Sequence, residues 1–99
     1  MLVRPDLRDH LAVPLTVLAQ IHHCHGDANE AFRYYFEALE IATEIGEAQL
    51  LFPCYDGLAV LYLSKDDQAR AEEYFHKAQR VCEKAGVEPD ALVVLPFLA

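Results

Sequence analysis

The stretch LLFPCYDGLAVLYLSKDDQARAEEYFHKAQR, Leu50 to Arg80, decides the fold, because a polar turn splits it into two helical periodicities. Leu51, Tyr55, Leu58, Ala59 and Tyr62 recur at i, i+4, i+7, i+8 and i+11, one apolar stripe along a helix. Ser64 to Asp67 interrupts that stripe, and Asp67 offers the short acceptor that caps a following helix. Ala71, Tyr74, Phe75, Ala78, Val81 and Cys82 then draw the stripe of a second helix, which stops near Gly86 and Pro89. No run of alternating polarity bounded by turn residues occurs, so strands are not expected.

The hairpin is written twice. At an offset of 40 residues Leu11, Leu18, Ala19, Asp27, Ala31, Tyr34, Ala38 and Gly46 meet identical residues at Leu51, Leu58, Ala59, Asp67, Ala71, Tyr74, Ala78 and Gly86. In the first unit a helix is expected to about His25, with Gly26 as its C-cap, then the turn HGDAN and a helix to about Ile45. The segments LAVPLTVLA, LLFPCYDGLA and ALVVLPFLA all close on Leu-Ala, at Ala19, Ala59 and Ala99. One all-helical domain, 1–99, is therefore expected, with units 11–50 and 51–90 and a partial third unit 91–99. Such stacks normally need three units and a polar cap. The apolar end at Leu92, Val93, Val94, Leu95, Phe97 and Leu98 thus predicts continuation into a longer solenoid, or self-association.

Composition narrows the function. With 54% apolar and 24% charged residues the chain can bury a core. A net charge of -8 argues against binding to a phosphate backbone, which depends on Lys and Arg, so no nucleic-acid partner is expected. Cys24, Cys54 and Cys82 are odd in number and form no CxxC, which fits a reducing, cytoplasmic setting. The apolar run Leu11 to Ile21 follows Arg4 and Arg8 as a secretory leader would, but Asp6 and Asp9 cancel those charges and no cleavage site follows. The run is also too short to span a bilayer, so no membrane role is expected.

The residues Tyr55-x2-Leu58-Ala59-x2-Tyr62 and Ala71-x3-Phe75-x2-Ala78, with Ala71 nine positions after Tyr62, resemble the tetratricopeptide repeat. The first unit carries the same frame as Leu15-x2-Leu18-Ala19-x2-His22 and Ala31-x3-Tyr35-x2-Ala38. The resemblance implies an all-α, right-handed helical-hairpin solenoid of about two and a half repeats. In it small residues (Ala19, Ala31, Ala59, Ala71) allow close approach, and Leu18, Tyr35, Leu58 and Phe75 fill the matching holes. The period departs from the family's usual ~34 residues, and Thr43 and Glu83 stand where a Pro would close each second helix. This longer period resembles the elongated variant of scaffold proteins and of regulatory regions in bacterial signalling ATPases.

The cluster IHHCHGD, Ile21 to Asp27, looks like a metal site, but successive helical side chains diverge by about 100°. Only His22 and His25 share a face, and a tetrahedral site would need Cys54 or Cys82 beside them. By register His22 takes the place of Tyr62, half-buried between helices. No metal, cofactor or catalytic residue is assigned: Cys24 has no orienting acid, and no phosphate-binding loop is present. Glu37, Glu40, Glu44 and Glu47, and the mixed charges of RAEEYFHKAQR, read as solvent faces. Tyr34, Tyr35, Phe36, Tyr74 and Phe75 read as interhelix packing.

In the family resembled, first helices line a concave groove that holds a peptide or partner helix. The matching positions here are Thr16, Gln20 and His23, then Asp56, Val60 and Leu63. Lys and Asn, which clamp a C-terminal carboxylate in some members, are absent from them, and Gly57 and Val60 replace the Asn pair of many elongated repeats. A mixed apolar and weakly acidic groove suits a peptide with hydrophobic anchors and a basic residue near Asp56. The leading expectation is a non-catalytic adaptor or scaffold with a protein or peptide partner. The alternative is a regulatory or sensor segment of a larger signalling enzyme or transcription regulator. A small His/Cys metal-binding protein is the third reading.

Overall fold

A computed structural model of the chain describes residues 10–86. The expected third unit at 91–99, with its apolar end, lies outside those residues, as do Arg4 and Arg8. Four helices form two antiparallel hairpins: α1 (Ala12–Cys24), α2 (Ala28–Ile45), α3 (Ala48–Ser64) and α4 (Gln68–Ala85). Among the described residues there is no strand. The fold is the helical-hairpin solenoid expected from the repeat.

Each intra-hairpin turn uses one residue twice. The Asp27 amide donates to His22 O (2.8 Å) and the Gly26 amide to His23 O (3.0 Å), so the Schellman pair closes α1. The Asp27 carboxylate then accepts from the Glu30 amide to open α2. The second hairpin repeats this geometry, with Asp67 bonded to Tyr62 O (2.9 Å) and accepting from the Arg70 amide. One difference matters: the left-handed position is Gly26 in the first turn (φ +81°) but Asp66 in the second (φ +64°). Gly46 and Gly86 end α2 and α4, also with positive φ.

Packing explains the small residues. α3 touches the other three helices, whereas α1 packs on α2 and α3 and α4 packs on α3. Ala31, Ala38 and Ala42, at i, i+7 and i+11 of α2, have no exposure, and Tyr35 lies between them. Leu58 and Leu61 are likewise sealed against Ala19, Ala31 and Tyr35. Complete burial of each leucine stabilises by roughly 1.5–3 kcal/mol. A side chain much larger than Ala at Ala38 or Ala42 would pry α2 from Cys54 of α3.

Two members of the large-into-small pattern behave differently from their counterparts. Leu58 and Tyr35 are buried as expected, but Leu18 is 39% exposed and Phe75 38%. The reason is position in the stack. Leu18 lies on α1, with no preceding hairpin beside it among the described residues, and Phe75 lies on α4, whose packing there is mainly against α3.

The aromatic residues keep the repeat offset in space. His22 stacks on Tyr34 (5.3 Å between centroids, 14° between planes), and Tyr62 stacks on Tyr74 (5.6 Å, 9°). Phe32 of the first hairpin reaches Tyr62 at 4.8 Å and bridges the two units. These rings are therefore interhelix packing, a use that the register indicated.

Candidate functional site: a cavity between the first helices

Between α1 and α3, over the α2 ring of Tyr35, lies a cavity of about 310 Å³. α1 contributes Gln20, His23 and Cys24 to its wall, and α3 contributes Asp56, Gly57 and Val60. The spacing follows from helix geometry. Gln20, His23 and Cys24 stand at i, i+3 and i+4, and Asp56 and Val60 at i and i+4, so each set shares a face.

Gly57 sets the depth of the cavity. A Cβ added there would collide with the Cζ, Cε1 and hydroxyl of Tyr35, so only glycine lets the ring approach α3 this closely. The first unit has Val17 at the equivalent position, which shows that the repeat itself does not require glycine. Burial pushes the Tyr35 phenol well above its ordinary value; the Asp56 carboxylate adds to the rise and Gln20 opposes it. Tyr35 therefore stays neutral and presents a fixed phenol at the cavity floor.

Asp56 is the acidic member of the cavity wall. It is half-buried, and burial raises its carboxyl above the ordinary 3.8. No cation pairs with it among the described residues. Beside it Val60 is 40% exposed, so the wall combines one carboxylate with one accessible apolar side chain.

Of the six positions expected to line a groove, Gln20, His23, Asp56 and Val60 come together in this cavity. Thr16 and Leu63 do not. Thr16 is only 6% exposed and its hydroxyl donates to Val13 O at 2.7 Å, so it offers no surface to a partner. Leu63 is 44% exposed but stands one turn past the cavity, near the end of α3. Tyr35, Cys24 and Gly57 were not expected there. The glycine within an otherwise apolar helix was the one signal in the sequence that could have pointed to them.

The histidine cluster is dispersed. His22 stacks on Tyr34 with its Nδ1 3.6 Å from the Asp27 carboxylate, His23 turns into the cavity, and His25 is the exposed C-cap. Cys54 is sealed beneath Ala38 and Ala42, with its thiol donating to Leu50 O at 3.3 Å. Among the described residues no three His, Cys, Asp or Glu side chains converge as a metal set would.

A family model described as tetratricopeptide repeat matches residues 9–84. The chain belongs to that family. Repeats of this family generally mediate protein–protein interaction and are typically non-catalytic. No curated protein and no solved structure matches the chain. Among the described residues no helix is long and apolar enough to cross a membrane.

Proposed function

We propose that the chain is a non-catalytic interaction module that captures a peptide segment in the cavity between α1 and α3. The observation that carries this reading is Asp56, a half-buried carboxylate with no counter-ion among the described residues, beside the exposed Val60. A Lys or Arg of the partner supplies the missing charge, and an adjacent apolar side chain covers Val60. A hydrogen bond to a charged group contributes roughly 1.5–3 kcal/mol, about 10- to 100-fold in affinity. Gln20 offers both a donor and an acceptor for the peptide backbone. The partner of such a site is a protein or peptide; catalysis and cofactor chemistry have no role in it.

A peptide library displayed on phage tests the assignment, panned in parallel against the chain, Asp56→Asn and Val60→Glu. Enriched sequences should place Lys or Arg next to a bulky apolar residue, and synthetic copies should bind Asp56→Asn at least tenfold more weakly. Enriched peptides without a basic residue, or binding that survives both substitutions, would refute it.

A further inference from the structure

A second depression, about 600 Å³, opens between the start of α3 and the end of α4, away from the cavity described above. Its floor is apolar, from Leu51, Tyr55 and Val81, and its rim carries Lys77, Arg80 and Lys84 at i, i+3 and i+7 of α4. Three of the chain's eight Lys and Arg residues thus line one groove of a protein whose net charge is -8. Lys77 pairs with Glu73 at 3.6 Å and lies over Tyr74. Arg80 and Lys84 have no ion-pair partner among the described residues.

The repeat makes this rim informative. The equivalent positions in the first unit are Glu37, Glu40 and Glu44, around Ile41 where the second unit has Val81. The apolar residue is kept and all three charges are reversed. Helix formation and packing are served by either set, since both occur in helices of identical length and cap. The solvent-face reading of RAEEYFHKAQR therefore accounts for the helix but not for the sign of this rim.

We propose that the α3–α4 groove docks a helical acidic segment of a partner protein, with carboxylates at i, i+3 and i+7 and an apolar side chain on the Leu51–Tyr55–Val81 floor. Charge complementarity selects this occupant. An acidic chain repels acidic segments over most of its surface, and this rim reverses the sign locally. Cations at i, i+3 and i+7 of one helix extend over about 10 Å, which matches carboxylates of the same spacing on another. This site is independent of the one around Asp56.

The test is fluorescence anisotropy of the full chain with a labelled amphipathic helical peptide carrying Glu at i, i+3 and i+7 and Leu at i+4. A Gln-for-Glu peptide serves as control. The Glu peptide should bind, more weakly as salt rises, and the Gln peptide at least about tenfold more weakly. Arg80→Glu with Lys84→Glu should lose binding by a similar factor while far-UV circular dichroism is unchanged, since both side chains are exposed. Val60→Glu should leave this binding intact, which separates the groove from the cavity. Absence of binding, equal affinity for both peptides, or indifference to the charge reversal would overturn the proposal. Self-association abolished by the same reversal would also overturn it, by giving the groove to a second copy.

Discussion

Gly57→Ala tests the packing that builds the cavity. In the middle of an exposed helix this change stabilises by about 1 kcal/mol, because Gly loses more backbone entropy than Ala. Here the new Cβ enters the space of the Tyr35 ring, which is buried and packed with Ala19, Ala31, Leu58 and Leu61, so moving it disturbs that cluster. Overpacking of this kind costs roughly 1–3 kcal/mol, and ejecting the ring would also forfeit the burial of its face. The steric cost wins, and a net loss of about 1 kcal/mol is expected. In a domain of this size that lowers Tm by roughly 4–8 °C. The decisive step is a second background. Tyr35→Leu removes Cζ, Cε1 and the hydroxyl, the three atoms that the Cβ would strike. In that background Gly57→Ala should regain its intrinsic helix preference and stabilise by roughly 0.5–1 kcal/mol. Urea unfolding followed by circular dichroism at 222 nm on the four proteins measures the cycle. If Gly57→Ala proved neutral or stabilising in the parent, or showed the same sign in both backgrounds, the close approach of ring and helix would be wrong.

Asp66→Gly should stabilise by roughly 0.5–1 kcal/mol, because Asp66 occupies the left-handed position that Gly26 fills in the first hairpin; thermal unfolding reads the gain. Asp56→Asn should change the pH profile of stability. Burial holds the folded carboxyl above its ordinary 3.8, so the native state keeps its proton longer than the unfolded state and stability falls as pH rises through the folded value. The Asn variant should therefore exceed the parent at pH 7, with the difference closing below about pH 3.8 in urea midpoints. Iodoacetamide should label Cys24, which is exposed, and spare the buried Cys54, whose thiol burial pushes up to about 12, and the buried Cys82. Mass spectrometry of the native protein gives the count, and rapid labelling of Cys54 would contradict its placement.

Much of the fold was legible because it is written twice. Leu58, Ala59 and Ala71 gain meaning from their copies 40 residues earlier, and Asp27 and Asp67 mark both turns by chemistry that acts within four residues. The dispersal of IHHCHGD was also readable, since adjacent helical side chains diverge whatever lies around them. The candidate cavity was readable in part. Register placed Gln20, His23, Asp56 and Val60 on facing sides of two helices, but it could not tell that Thr16 would be covered or that Tyr35 would form the floor. Those outcomes depend on how closely helices approach, which Gly57 sets through a contact 22 positions distant from Tyr35 in the chain. Leu18 and Phe75 show the complementary limit: their types match those of buried partners, but exposure follows from place in the stack.

By itself the sequence determined the helices, their ends, their pairing into hairpins and the family, because periodicity, caps and repeat offset are local or translational properties. Tertiary structure decided which of the marked side chains share a cavity, that Asp56 is half-buried with no counter-ion among the described residues, and that Lys77, Arg80 and Lys84 rim an apolar groove. Those are properties of the space between helices. That space depends on the summed volumes of side chains distant in sequence, which no single stretch encodes.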